Sequence, residues 1–219
     1  VTVTETESGW SIPGGQKYHG PRMRYAEGDW SNAAFWLVAG AIGGSIGCQG
    51  LDMESPQGDR AIAALLEEFG AETKVALNQI TATHKEMKGI RIDAAQIPDL
   101  VPILCVAAAA AEGKTEIYNA GRLRMKESDR LAVMAECMQK IGVEVEERPD
   151  SIIITGGCNP PEGEIVIDSH NDHRIVMAMA IAAVSLGVEL TILGAEAVNK
   201  SYPSFFIELA KLGGVTNVL

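Results

Sequence analysis

Basic side chains gather where the chain's patterning predicts helices to begin. Arg60, Arg130, Arg174 and Lys200 fall in the opening turns of predicted helices, and Arg122, Arg124 and Lys126 stand just before one of them. A helix N-terminus already carries partial positive charge and free N–H groups, so acids are favoured there and cations are mildly unfavourable. Repeated placement of cations at such starts, in a chain of net charge -11, points to an anion pocket, because guanidinium forks and free N–H groups together hold phosphate or carboxylate. The competing reading pairs each cation with one of the abundant Asp and Glu side chains as ordinary surface charge. Recurrence of the arrangement along the chain favours the pocket. Asp99, Glu127 and Asp172 are expected to open helices in the same region, and N-capping suits Asp99 and Asp172. A carboxylate beside several cations stays ionised and can orient a hydroxyl or take its proton. His170 and His173 are spaced HxxH without an evident third ligand, so no metal is expected, and His173 reads as a hydrogen-bonding neighbour of the anion site. Lys88, Lys114 and Lys140 read as solvated surface charges.

The elements that must position these residues recur with a period of about 70 residues, a repeat legible in the sequence itself. Helices are expected over 30–42 and 61–69, then 100–112 and 131–141, then 175–186 and 204–212. Strands are expected over 45–51, 114–119 and 188–193 between the two helices of each copy, and over 72–77, 79–85, 89–93, 143–147, 151–155 and 164–168 after them. The second helices close on Gly70, Gly142 and Gly213, the residue type that most easily ends a helix in the left-handed conformation. The first helix of each copy is apolar nearly all round, as in Val101-Pro102-Ile103-Leu104-Cys105-Val106 and the five alanines after it. Such a helix must be buried on every side. The expected fold is therefore α/β, with repeated α/β units in pseudo-three-fold symmetry, buried helices inside and sheets outside.

Bulk properties narrow the class. A chain of 219 residues with 47% hydrophobic content buries a real core. An excess of 29 acidic over 18 basic residues argues against nucleic acid as partner. Cys48, Cys105, Cys137 and Cys158 form no CxxC pair and fit a reduced, cytoplasmic setting, with Cys105 and Cys137 inside apolar helices. The longest apolar stretches, 101–111 and 175–188, are too short to span a bilayer, and no signal peptide is evident. The opening Val-Thr-Val-Thr-Glu, in strand-like alternation and without Met, reads as the middle of something longer, a fragment.

Four runs carry a resemblance. Ile97-Pro98-Asp99, Arg122-Leu123-Arg124-Met125-Lys126-Glu127-Ser128-Asp129-Arg130, Asn171-Asp172-His173-Arg174 and Asn199-Lys200-Ser201-Tyr202-Pro203 resemble signatures of the enolpyruvylshikimate-phosphate synthase family, in the family's order. Gly28-Asp29-Trp30-Ser31-Asn32-Ala33 is similar to the family's entry into its C-terminal half. The runs from Lys126 to Arg130 and from Asn171 to Arg174 are the specific ones.

The resemblance implies transfer of the enolpyruvyl group of phosphoenolpyruvate to the 5-hydroxyl of shikimate 3-phosphate with release of phosphate. It implies two globules of three-fold repeated units closing on substrate, of which residues 26–219 would be the C-terminal one, with repeats at about 28–97, 98–170 and 171–219. Residues 1–25 would be a remnant of the other globule and the crossover. By the same resemblance Arg130, Arg174 and Lys200 bind phosphoenolpyruvate, Lys126 and Asp99 contact shikimate 3-phosphate with Asp99 holding the attacking 5-hydroxyl, and Glu127 is the acid–base residue at the methylene carbon; Asp172 and His173 are expected among the substrate-binding residues. No cofactor is implied, because fixed cations stabilise the charged intermediates. The family's N-terminal half, with its own contacts to both substrates, is not in this sequence, so the chain alone is expected to be inactive and that half is its implied partner. A UDP-N-acetylglucosamine enolpyruvyl transferase and a non-catalytic phosphate-binding domain are the alternatives.

Overall fold

A computed structural model of the chain describes residues 1–20 and 26–217. A short antiparallel hairpin, β1 (Thr4–Thr6) and β2 (Gly9–Ser11), opens it and stands almost wholly exposed. The order then runs α1 (Trp30–Gly43), β3 (Ser45–Gln49), α2 (Ile62–Phe69), β4 (Glu72–Ala76), β5 (Gln79–Thr83) and β6 (Arg91–Asp93). It recurs as α3 (Val101–Ala110), β7 (Lys114–Tyr118), α4 (Arg130–Lys140), β8 (Glu144–Arg148), β9 (Ser151–Thr155) and β10 (Val166–Asp168). A third round begins as α5 (His173–Leu186), β11 (Thr191–Leu193) and α6 (Phe205–Lys211).

The first helices are buried because they have no polar face to offer. Every residue of α3 from Val101 to Ala109 is buried, and α1, α3 and α5 each pack on the other two. The many alanines allow the close approach, and Trp30, Phe35, Ile103 and Leu104 are among the fully buried side chains of the core. Sheets flank this core. Among the described residues β3, β5 and β4 form one sheet, β6, β7, β9 and β8 a second, and β10 and β11 a third. The pairs β3/β5 and β7/β9 are antiparallel, whereas β6/β7 and β10/β11 are parallel and are joined through α3 and α5. Period-2 burial holds even where the sequence is uniformly apolar: in β9, Ile152 and Ile154 face the core while Ile153 is half-buried.

Three backbone bonds recur at matching places and show the symmetry directly: Gly28 N–H to Gly50 O at 2.7 Å, Ala94 N–H to Tyr118 O at 2.9 Å, and Ser169 N–H to Leu193 O at 3.2 Å. Gly70, Gly142 and Gly213 have φ of 111°, 80° and 97°, so the second helix of each copy ends on a left-handed residue as its sequence predicts. No helix among the described residues is long and apolar enough to cross a membrane. All four cysteines are free thiols, Cys105 and Cys137 being buried.

Three expectations about helix starts are corrected. Asp99 does not cap α3; it lies in a one-turn 3-10 helix, Pro98–Leu100, and makes no capping bond, because Pro98 and Pro102 shape a tight entry instead. Glu127 does not open α4, since Asp129 caps it by accepting from Ala132 N–H at 3.0 Å and Arg130 is its first residue. Lys200 ends a 3-10 segment, Ala195–Lys200, ahead of α6 rather than standing in an opening turn.

Candidate active site

The starts of α3, α4 and α5 converge, and one arginine ties them together. Asp172 caps α5, its Oδ1 accepting from Arg174 N–H at 2.9 Å, as the sequence predicts. The turn before it is set by His170 and Asn171, both left-handed at φ of 49° and 56°, a conformation Asn and His tolerate better than most residues. Arg130 at the start of α4 reaches across: Nε donates to Asp172 Oδ2 at 2.7 Å and Nη2 to Asp172 Oδ1 at 3.2 Å. Its Nη1 donates to Asp99 Oδ1 at 2.7 Å and its Nη2 to Glu127 Oε2 at 2.6 Å. Ser128 Oγ adds a donor to Asp172 Oδ2 at 3.0 Å.

This constellation has a floor and a rim. The Arg130 side chain is 1% exposed and that of Asp172 0%, whereas those of Asp99 and Glu127 are 32% and 43% exposed. Around Asp99 two more cations close in, Lys126 Nζ at 3.1 Å and Arg174 Nη2 at 3.5 Å, and Arg174 Nη1 also donates to the Asp99 carbonyl at 3.3 Å. Lys200 joins from the third copy by donating to Asn171 O at 2.5 Å, beside the Asp172 cap.

The electrostatics follow from this packing. Burial alone would push Asp172 up, but the hydrogen bond and charge of Arg130, with the Arg174 N–H and Ser128, hold it below the usual carboxylate range. Burial likewise opposes ionisation of Asp99 and is outweighed by Arg174 and Lys126. The Arg130 guanidinium loses solvation on burial, yet the bond to Asp172 and the charges of Asp172, Glu127 and Asp99 fix it as a cation. His173 is buried, and desolvation with the charge of Arg174 lowers its pKa, so the imidazole is neutral at pH 7; its Nδ1 makes no hydrogen bond among the described residues, Asp172 Oδ1 standing 4.0 Å away. A buried, polarised cation beside two half-open carboxylates can bind an anion and orient or protonate what lies against it.

The structure thus brings together Asp99, Lys126, Glu127, Arg130, Asp172, His173, Arg174 and Lys200 from sequence positions spread over a hundred residues. It does not bring in Arg60, Arg122 or Arg124. Arg60 is bonded to the Met53 carbonyl, Arg122 reaches Ala95 O at 3.5 Å, and Arg124 is bound to Asp129, Glu147 and two carbonyls. The reading as pairing with Asp and Glu holds for Arg124 alone; Arg60 and Arg122 bond backbone carbonyls instead. Lys88, Lys114 and Lys140 are exposed, Lys140 pairing with Glu136 one turn back. Ser128 and Asp129 went unassigned by sequence, although a Ser-Asp pair directly before an apolar-periodic run is an N-cap signal.

The EPSP synthase (3-phosphoshikimate 1-carboxyvinyltransferase) family model matches residues 1–209. A 3-phosphoshikimate 1-carboxyvinyltransferase of Clostridium acetobutylicum is 48% identical over 93% of this chain and 46% of its own length. One of Halobacterium salinarum is 41% identical over 99% of this chain and 52% of its own. The EPSP synthase of Acinetobacter baumannii superposes with a TM-score of 0.75 at 32% identity, covering 98% of this chain and 52% of that one. The enolpyruvyl transferase NikO of Streptomyces tendae, at TM-score 0.66 and 19% identity, shares the fold. The chain spans about half the length of the curated relatives it matches. By this match over nearly its whole length, the chain belongs to the EPSP synthase (3-phosphoshikimate 1-carboxyvinyltransferase) family.

Proposed function

We propose that this chain supplies one half of an active site that transfers the enolpyruvyl group of phosphoenolpyruvate to the 5-hydroxyl of shikimate 3-phosphate, releasing phosphate. The observation that carries the reading is the Arg130 junction with Asp99, Glu127 and Asp172, built from the residues that the family runs contain. Arg130, Arg174 and Lys200 hold the phosphate and carboxylate of phosphoenolpyruvate; Lys126 and Asp99 face shikimate 3-phosphate. Asp172 fixes Arg130 from below, and neutral His173 borders the anion.

In the addition the substrate hydroxyl oxygen bonds to the substituted vinyl carbon, its proton passing to Asp99, while Glu127 delivers a proton to the methylene carbon. The elimination returns a methyl proton to Glu127, breaks the carbon–oxygen bond to phosphate and lets phosphate leave with the proton from Asp99. Fixed cations around Asp99 and Glu127 support this sequence, because they stabilise negative charge in a site that need not reorganise.

The partner is the N-terminal half of such an enzyme. Residues 26–219 form the C-terminal globule in this reading, with repeats near 28–97, 98–170 and 171–219, and residues 1–25 belong to the other globule and crossover; 21–25 lie outside the described residues. The free thiols support a cytoplasmic setting. The test is phosphate release from phosphoenolpyruvate and shikimate 3-phosphate by this chain alone and with the N-terminal half of the Clostridium acetobutylicum relative. Release only in the mixture is expected. A folded mixture that releases none overturns the reading.

A further inference from the structure

Lys126 and Glu127 sit on a loop with little packing of its own. From Gly121 to Asp129 only Leu123 is buried, and Met125 is 81% exposed. Beside the site contacts of Lys126, Glu127 and Ser128, what holds the loop is Arg124, whose side chain is 27% exposed. Its Nε donates to Pro149 O at 3.0 Å, its Nη1 to Asp129 Oδ1 and Oδ2 at 3.3 and 3.0 Å, and its Nη2 to Glu147 Oε1 at 2.7 Å and Arg148 O at 2.8 Å. The five contacts engage all three guanidinium nitrogens, Nη1 sharing one N–H between the two oxygens of Asp129.

The acceptors lie on two rigid bodies. Glu147, Arg148 and Pro149 belong to the β8–β9 hairpin in the four-stranded sheet, and Asp129 is the cap of α4. The same hairpin holds the loop's other end, Asp150 accepting from Ala120 N–H through its carbonyl at 2.9 Å and from Gly121 N–H through Oδ1. Lys126, Glu127 and Arg130 all follow Arg124 within six residues, so the clasp sets where three site groups stand.

We propose that Arg124 is a positioning residue: a clasp that locks the loop carrying Lys126 and Glu127, and the start of α4 carrying Arg130, to the β8–β9 hairpin, and so holds the acid–base carboxyl in register with Asp99. The proposal rests on the functional reading above. A carboxyl displaced by an ångström loses catalysis without losing the anion subsite, because Arg130 is also held by Asp172 on α5, and Arg174 and Lys200 are held from α5 and the third copy.

The test uses Arg124→Met and Arg124→Lys. Amide exchange on the full 219-residue chain is expected to accelerate over residues 121–129 in Arg124→Met while the interior of α3 stays protected. In the mixture with the N-terminal half of the Clostridium acetobutylicum relative, kcat is expected to fall about 100-fold with the KM for phosphoenolpyruvate within about threefold. Arg124→Lys, which keeps the charge but not the fork, is expected to recover only part of kcat, and it carries the test if Arg124→Met does not fold. Unchanged exchange over 121–129, or a folded variant with kcat within about twofold of the parent, overturns the clasp. If the parent mixture itself is inactive, the functional reading fails and exchange alone decides the clasp.

Discussion

Arg130 is the residue on which most of the site's charge depends. It is buried against a buried carboxylate, and removing one partner of such a pair leaves the other uncompensated in a poorly solvated place. Arg130→Met is therefore expected to destabilise the globule by about 3–5 kcal/mol in urea unfolding, and Arg130→Met with Asp172→Leu by clearly less than the single change. Equal losses for the two would show that Asp172 carries no unpaired charge in the single variant. The titrating groups give a pH dependence with a definite sign. Asp99 and Asp172 have folded pKa values below the ordinary one, so their contribution is present above the usual carboxylate range and is lost as acid carries pH through the folded values. His173 is also lowered, which for an imidazole means that the unfolded chain binds the proton more readily. Stability is thus expected to decline as pH falls through about 6.5, the ordinary imidazole value, and this limb should vanish in His173→Gln. Identical unfolding free-energy slopes for parent and variant between neutral and mildly acid pH would remove His173 from the account. For chemistry, Glu127→Ala in the reconstituted enzyme is expected to lower turnover by about 10²–10⁴, the range for loss of a general acid–base group. Turnover close to the parent's would take that role away from Glu127.

At the scale of elements, the helix ends decide where the site residues point. Gly142 ends α4 at φ of 80°, and a Cβ there would stand 1.8 Å from Asn159 O, so neither backbone conformation nor space admits a side chain. Gly142→Ala is expected to cost about 1–3 kcal/mol or more by thermal or urea unfolding, through strain at a left-handed position and displacement of the chain around Asn159. Gly157→Ala, left-handed at φ of 115° but facing open space, is the control that isolates the conformational part. A Gly142→Ala variant no less stable than this control would show that the contact with Asn159 relaxes freely. Period and punctuation made these elements legible: helix and strand limits agree with the pattern to within a few residues, the left-handed glycines included. The corrections fall at the starts of α3, α4 and α6, where one 3-10 segment or one cap residue shifts the boundary. Propensity distinguishes such alternatives by less than a packing contact does.

For the molecule as a whole, the core is three mutually packed apolar helices with sheets outside, and the candidate site lies where helix starts from the second and third copies meet. The copies are not equivalent in their surroundings. Helix α4 packs against both α3 and α5, so its first arginine faces two other helix starts, whereas α2 packs on α1 and Arg60 turns to the Met53 carbonyl. Repeat symmetry in the sequence therefore overstates symmetry in the site. The chain spans about half the length of its relatives, and in the proposed function the remaining contacts come from an N-terminal half; reconstitution decides it, with activity in the mixture and none in either half the expected outcome.

The sequence by itself determined the fold class, the threefold recurrence, the all-round burial of the first helices and the residue types of an anion site, because each of these is written in local periodicity and composition. It also carried the family, through short runs whose order is preserved. Only the tertiary structure decided which cations gather around Asp99 and Asp172 and which bond elsewhere. Arg130 meets Asp99 across 31 residues and Asp172 across 42, and Arg174 meets Asp99 across 75. No local pattern distinguishes Arg130 from Arg124, six residues earlier; one reaches the buried Asp172 and the half-open Asp99 and Glu127, and the other bonds the β8–β9 hairpin and the cap of α4. That difference is a matter of which surfaces come together in space, and neither periodicity nor spacing along the chain encodes it.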